Sequence, residues 1–150
     1  MTNFISVARD LIKRHEELRL EVYDDANGNK IKPGVTVVGH PTIGYGRALD
    51  VDGISVVEAD LLLSHGINTA LDNCTKIYGL AFNSFSINRR AALIDMCYNL
   101  GENGLREFVN MNAAIMKGDW IEAARQALLS KWARQVGERA SNDADLLRMG

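Results

Sequence analysis

Apolar positions along residues 3–17 fall at Phe4, Val7, Ala8, Leu11 and Ile12, a spacing of three and four that predicts an amphipathic helix. Asn3 or Thr2 supplies an N-cap. Glu16 comes one turn after Ile12 and continues the side that bears Ile5, Ala8 and Ile12. From Arg19 to Arg47 the period changes. Asp24-Asp25-Ala26-Asn27-Gly28-Asn29 and Pro33-Gly34 are turn chemistry. Val35-Thr36-Val37-Val38 and Thr42-Ile43-Gly44-Tyr45 are β-branched or aromatic runs, which predict a small antiparallel sheet. A sheet of this size must lean on helices.

Helical signals dominate after Asp52. Ser55-Val56-Val57-Glu58 reads as a capping box opening a helix to about Asn73. Ser86 caps a second helix through Ala91, Leu93, Ile94, Met96 and Cys97, stopped by Gly101. That helix is apolar almost all round, so it is expected at the buried centre. Asp119-Trp120-Ile121-Glu122 is a second capping box, starting a helix to about Trp132, and a short helix follows Ser141. The expected fold class is α+β: one domain over 1–150, with a small antiparallel sheet lobe at about 18–52. A larger, mostly α-helical lobe is made of 1–17 and 53–150. A ligand cleft is expected where the two meet.

Composition adds little to this and excludes some alternatives. With 47% hydrophobic and 24% charged residues the chain can bury a real core without a disulfide or metal staple. The net charge is −2, and residues 1–85 hold 8 Lys/Arg against 11 Asp/Glu while 86–150 hold 9 against 8. There is no basic stripe, so nucleic acid is not an expected partner. Cys74 and Cys97 lack CxxC spacing and read as two buried free thiols. The N-terminal run is interrupted by Arg9, Asp10, Lys13 and Arg14 and reads neither as a signal peptide nor as a membrane span.

Several motifs fail on inspection. His15-Glu16-Glu17-Leu18-Arg19 starts like a zinc-peptidase helix, but the fifth position is Arg19. His15, His40 and His65 have no paired ligand spacing, so no metal is expected. Asp25-Ala26-Asn27-Gly28-Asn29 resembles a calcium loop only at its start, since Lys30 and Thr36 stand where Gly and Glu are required. Gly44-Tyr45-Gly46 lacks the third glycine of a dinucleotide fingerprint. Trp120 reads as core, while Trp132 is as compatible with sugar stacking as with packing.

The informative stretch is Glu16 to Arg47. Two carboxylates, Glu16 and Asp25, and the Thr42 hydroxyl are carried by different elements and can converge. Glycosidic cleavage needs one carboxylic acid to protonate the departing sugar oxygen and a second carboxylate that stays ionised. A Glu packed on an apolar helix face suits the acid, and an Asp in a polar turn suits the ion.

The run HEELRLEVYDDANG followed by TIGYGRAL resembles the T-even phage lysozyme family, glycoside hydrolase family 24. That family shows Glu, eight residues, Asp, a short insert, then Thr-Ile-Gly-x-Gly. RRAALIDMCYNLGENG resembles its central buried helix, and DWIEAARQALLSKWARQVGERA its late helix. The resemblance implies Glu16 as general acid, Asp25 as second catalytic carboxylate and Thr42 as a holder of the attacking water, with inversion at the anomeric carbon. It places Tyr98, Asn99, Met111 and Gln126 on the substrate groove, Met111 replacing a polar family residue. It also implies bacterial peptidoglycan as substrate and no cofactor. No membrane insertion is expected from the charge-interrupted N-terminal run, and a monomer is expected because no large exposed apolar stripe is evident. Synthesis would be in the host cytoplasm, with a separate pore giving access to the wall.

Two departures stand out. The link between Asp and Thr is lengthened by residues 31–41, and Arg47 stands where the family often has His. An Arg47 ion pair would not titrate near neutral pH. The alternatives are a lytic transglycosylase, which needs neither Asp25 nor Thr42, and a glycan-binding module that has lost catalysis.

Overall fold

The computed structural model describes residues 3–150. The chain divides into two compact units, the first running through Ala59 and the second spanning Asp60–Gly150.

The first unit opens with α1, Phe4–His15. Asn3 caps it, its side chain accepting from the Ser6 amide at 3.0 Å; the other capping candidate, Thr2, lies outside the described residues. The helix forms as expected, but none of its residues is buried. Its Ile5, Ala8 and Ile12 side forms an open apolar groove with Tyr45. A three-stranded antiparallel sheet follows in the order β1-β2-β3: β1 is Arg19–Asp24, β2 Pro41–Gly44 and β3 Arg47–Ala48. Thr42 pairs with Tyr23 on one side and Ala48 on the other. The one-turn helix α2, Leu49–Asp52, packs on β2 and β3.

Residues 35–38 correct the expectation of a strand. They form no ladder. Their β-branched side chains favour extended backbone, but the amide of Val38 donates to the Asp24 carboxylate instead of a neighbouring strand. The sheet instead takes β1, which the sequence reading does not single out.

Helix α3, Val56–Tyr78, is opened by the expected capping box. The Ser55 amide donates to Glu58 Oε2 at 2.7 Å, and the Glu58 amide donates back to Ser55 Oγ at 3.3 Å. It runs past Asn73 because no breaker intervenes before Gly79, where a 3₁₀ segment, Gly79–Ser84, begins. Ser86 caps α4, Ile87–Arg106, as expected. Gly101 does not stop this helix but kinks it, with φ 72° and ψ 175°, a conformation that suits glycine. Only one side of α4 is buried, through Ala92, Leu93, Met96, Cys97 and Leu105, so it is not apolar all round.

Four helices complete the second unit: α5 Val109–Met116, α6 Trp120–Leu129, α7 Lys131–Val136 and α8 Glu138–Met149. The α6 helix stops short of Trp132 because Ser130 takes extended dihedrals and caps α7, its hydroxyl accepting from the Ala133 amide. The last helix starts at Glu138, before Ser141, directly after Gly137.

The hydrophobic core lies in this second unit. Phe82, Leu93, Met96, Leu105, Met111, Ile115 and Leu147 are its largest fully buried apolar side chains. Cys74 and Cys97 are buried free thiols. Trp120 joins the core edge as expected, meeting Phe85 edge-on at 4.9 Å while the Arg89 guanidinium covers its ring at 4.3 Å.

Candidate active site

Glu16 is the C-cap of α1. Its amide closes the last helical bond to Ile12 at 2.8 Å, and its own extended dihedrals lead the chain toward β1. It is solvent-exposed, so the apolar helix face does not desolvate it as the sequence suggests; the cause is its place at the helix end, one residue past the last turn. The carboxyl group stands against the β2–β3 turn. A methyl group at Gly46 would lie 3.2 Å from Glu16 Oε2, and Gly46 has φ 82°, a conformation a side chain resists.

Asp25 directly follows β1 and Thr42 sits in β2. The structure brings both to His40. The Asp25 amide donates to the His40 carbonyl at 3.1 Å, and the His40 amide returns a bond to Asp25 Oδ1 at 2.6 Å. The hydroxyl of Thr42, only 3% exposed, donates to the same His40 carbonyl at 3.1 Å. A carboxylate and a hydroxyl separated by the long 26–41 loop thus share one anchor, and the Asp25 carboxylate stays exposed.

The loop's electrostatics are organised by the neighbouring Asp24, which is buried. Its carboxylate accepts from the amides of Ala26, Val38 and Gly39 and from Asn27 Nδ2, at 2.8–3.1 Å. The Val38 amide, with the other donors behind it, holds Asp24 below the usual carboxylate range, against the opposing effect of burial. His40 Nδ1 pairs with Asp50 of α2 at 3.0 Å, which raises the imidazole pKa through that hydrogen bond and the charge of Asp50. Arg47 bonds the Gly53 carbonyl at 2.8 Å and Glu58 at 3.0 Å, so the guanidinium pair forms within the first unit. Asp24, Gly39 and His40 belong to this candidate site, and the sequence reading misses them. The available signal was the Asp-Asp doublet before a turn, with Gly39-His40 next to the Thr42 strand.

Four predicted groove residues lie in the second unit, and the structure groups only some of them. Met111 and Gln126 line one cleft of about 520 Å³ together with Phe108, Trp132 and Gln135. Met111 is 1% exposed and belongs to the core, so it contributes the floor of this cleft and not an open wall, consistent with its apolar character. Gln126 donates to Glu122 Oε1 at 2.7 Å. Asn99 does not line the cleft but accepts from Trp132 Nε1 at 2.7 Å, which orients the indole. Tyr98 lies elsewhere, its ring packed on Gly66 of α3 so closely that a methyl there would sit 2.5 Å from Cε2. Trp132 itself is 5% exposed and meets Phe108 edge-on at 5.9 Å, so it is both packed and cleft-lining. Among the described residues no cluster of three or more His, Cys, Asp or Glu is placed to hold a metal, and no helix is long and apolar enough to cross a membrane.

The phage lysozyme family model matches residues 13–144, a span that contains all seven predicted site residues. The chain belongs to the phage lysozyme family. A probable T4-type lysozyme 2 of Dictyostelium discoideum is 24% identical over 163 residues, covering 97% of this chain and 96% of that protein. The pre-baseplate central spike protein Gp5 of Enterobacteria phage T4 is 23% identical over 168 residues, covering 94% of this chain. The chain spans only 27% of the spike protein's length. For this phage lysozyme-family chain, membership points to a lysozyme-type peptidoglycan hydrolase, and an α+β fold with a small three-stranded antiparallel sheet agrees with it.

Proposed function

We propose that the protein hydrolyses the β-1,4 glycosidic bond between N-acetylmuramic acid and N-acetylglucosamine in bacterial peptidoglycan. The observation that carries this reading is the meeting of Asp25 and Thr42 at the His40 main chain, with Glu16 lodged against Gly46 in the same unit. Glu16 donates its proton to the departing sugar oxygen as the C1–O bond breaks. Water attacks C1 from the opposite face and loses a proton to Asp25. The product is a new reducing end with inverted configuration.

Each group is suited to its part. Exposed Glu16 and Asp25 are open to substrate. The His40 amide fixes the Asp25 carboxylate and leaves its second oxygen for water. The Thr42 hydroxyl spends its proton on the His40 carbonyl, so toward the attacking water it would act as an acceptor. Met111 and Gln126, which line the cleft of the second unit, are assigned to sugar binding, Met111 from its floor, while Tyr98 and Asn99 are candidate substrate-binding residues outside that cleft. No cofactor takes part, the protein acts as a monomer, and its setting is phage-induced lysis of the host wall after release from the cytoplasm.

Clearing of a bacterial wall suspension tests the assignment. Wild type should clear it, while Glu16→Gln and Asp25→Asn should each lose at least about 100-fold in rate. Equal clearing by wild type and Glu16→Gln would refute the site. Mass spectrometry of the released fragments distinguishes hydrolysis, which leaves reducing ends, from transglycosylation, which leaves anhydro sugars.

A further inference from the structure

The structure places three consecutive amides, Val38, Gly39 and His40, on the carboxylates of two consecutive residues, Asp24 and Asp25. Val38 and Gly39 donate to Asp24 at 2.8 and 2.9 Å, and His40 donates to Asp25 at 2.6 Å. Asp24, the last residue of β1, is 2% exposed, and Asp25, the first residue of the turn that follows, is exposed. One faces inward as an anchor, and the other faces outward as a reactive group. The main chain of Asp24 is tied as well, its amide to Asn29 and its carbonyl to Gly28.

Gly39 completes the arrangement. A methyl group there would run into Asp25 Oδ1 and come within 2.8 Å of the Ala26 amide nitrogen. The loop therefore approaches Asp25 at a distance that only a residue without Cβ permits.

We propose that Asp24 is a positioning residue for the reaction: with Gly39 it draws the 38–40 main chain inward so that the His40 amide holds Asp25 in its water-directing orientation. This rests on the role given to Asp25 above. A buried carboxylate satisfied by four donors is costly to disturb, because loss of its charge leaves main-chain amides without partners. Asparagine at 24 would present an NH₂ group to at least one of those amides.

The test is a double-mutant cycle on glycan cleavage. Asp24→Asn should lower kcat about 10–100-fold while KM changes less than about threefold, as expected for a misplaced reacting group. Asp25→Asn and the Asp24→Asn/Asp25→Asn double variant should be equally slow, because Asp24 acts through Asp25. Gly39→Ala, which keeps Asp24 intact, should give the same loss in kcat. Amide hydrogen exchange followed by NMR should show faster exchange at His40 in both single variants, with protection in α4 unchanged. An Asp24→Asn enzyme with wild-type kcat overturns the proposal alone. A double variant markedly slower than Asp25→Asn also overturns it, because Asp24 would then act independently. An Asp25→Asn enzyme with wild-type kcat overturns the role of Asp25 and this proposal with it, whatever the exchange data show.

Discussion

Asp143→Asn should make the second unit more stable at pH 8 than the wild type, with no such gain at pH 4. Asp143 lies on α8 and is 3% exposed, and its Oδ2 has no hydrogen-bond partner among the described residues. Burial, and then the charge of Asp95 on α4, push its carboxyl up to about 7 from 3.8, while Arg139 acts in the opposite direction. Arg139 spends its fork on Asp95, at 2.7 and 2.8 Å, and so neutralises Asp143 only partly. The charged residues of α6, Glu122 and Arg125, pair with each other at 2.7 Å, and Lys131 and Arg134 of α7 are exposed.

The folded-state pKa lies above the unfolded one, so between pH 3.8 and about 7 the native state binds a proton that the unfolded chain has released. Stability therefore falls as pH rises through that window and levels off above it. A shift of about three units is worth about 4 kcal/mol at 1.36 kcal/mol per unit. Asp95 is half-exposed and can turn toward water, which reduces the effect to about 2–4 kcal/mol. Both tryptophans, Trp120 and Trp132, belong to the second unit, so fluorescence-monitored urea unfolding reports on it directly. The difference between Asp143→Asn and wild type should grow between pH 4 and 7 and then stay constant. A difference that stays flat within about 0.5 kcal/mol from pH 4 to pH 8 would refute the reasoning.

Three further outcomes are expected. Asp50→Asn should lower the titration midpoint of His40, because the hydrogen bond and charge that raise it are removed; histidine NMR titration reads this, and an unmoved midpoint would show that the pair does not form in solution. In the same pair, the stabilisation is present below the unfolded histidine pKa and disappears as pH rises through the raised folded value. Leu93→Ala, at a fully buried position, should cost about 2–5 kcal/mol in the fluorescence unfolding experiment. Cys74 and Cys97, both buried and both with thiols pushed up by desolvation, should react with a thiol reagent only after unfolding, and prompt reaction of the native protein would contradict their burial.

Much of the helical unit could be read from local chemistry. The Ser55–Glu58, Ser86 and Asp119 caps sit where side-chain oxygens can reach free amides, and each forms. Helix ends were less legible, because Gly79, Ser130 and Gly137 compete with the apolar period over only a residue or two. The β-branched run 35–38 misled for a different reason. Its partner is a side-chain carboxylate from a residue fourteen positions away, and no local pattern encodes such a contact. The site shows the same split. Glu16, Asp25 and Thr42 were visible through the family pattern. Asp24 looked like one more polar turn residue, and its burial depends on where the loop returns. Exposure of Glu16 likewise follows from where α1 ends, which its apolar spacing does not specify.

The loop is moored by the amides of Val38, Gly39 and His40, and amides are common to almost every amino acid. Lys32, Pro33, Val35 and Thr36 project outward from it and are exposed. Their identity is therefore almost free, which makes this apex a natural graft point for an affinity tag or a wall-binding peptide, and a place where related enzymes can diversify without disturbing their chemistry.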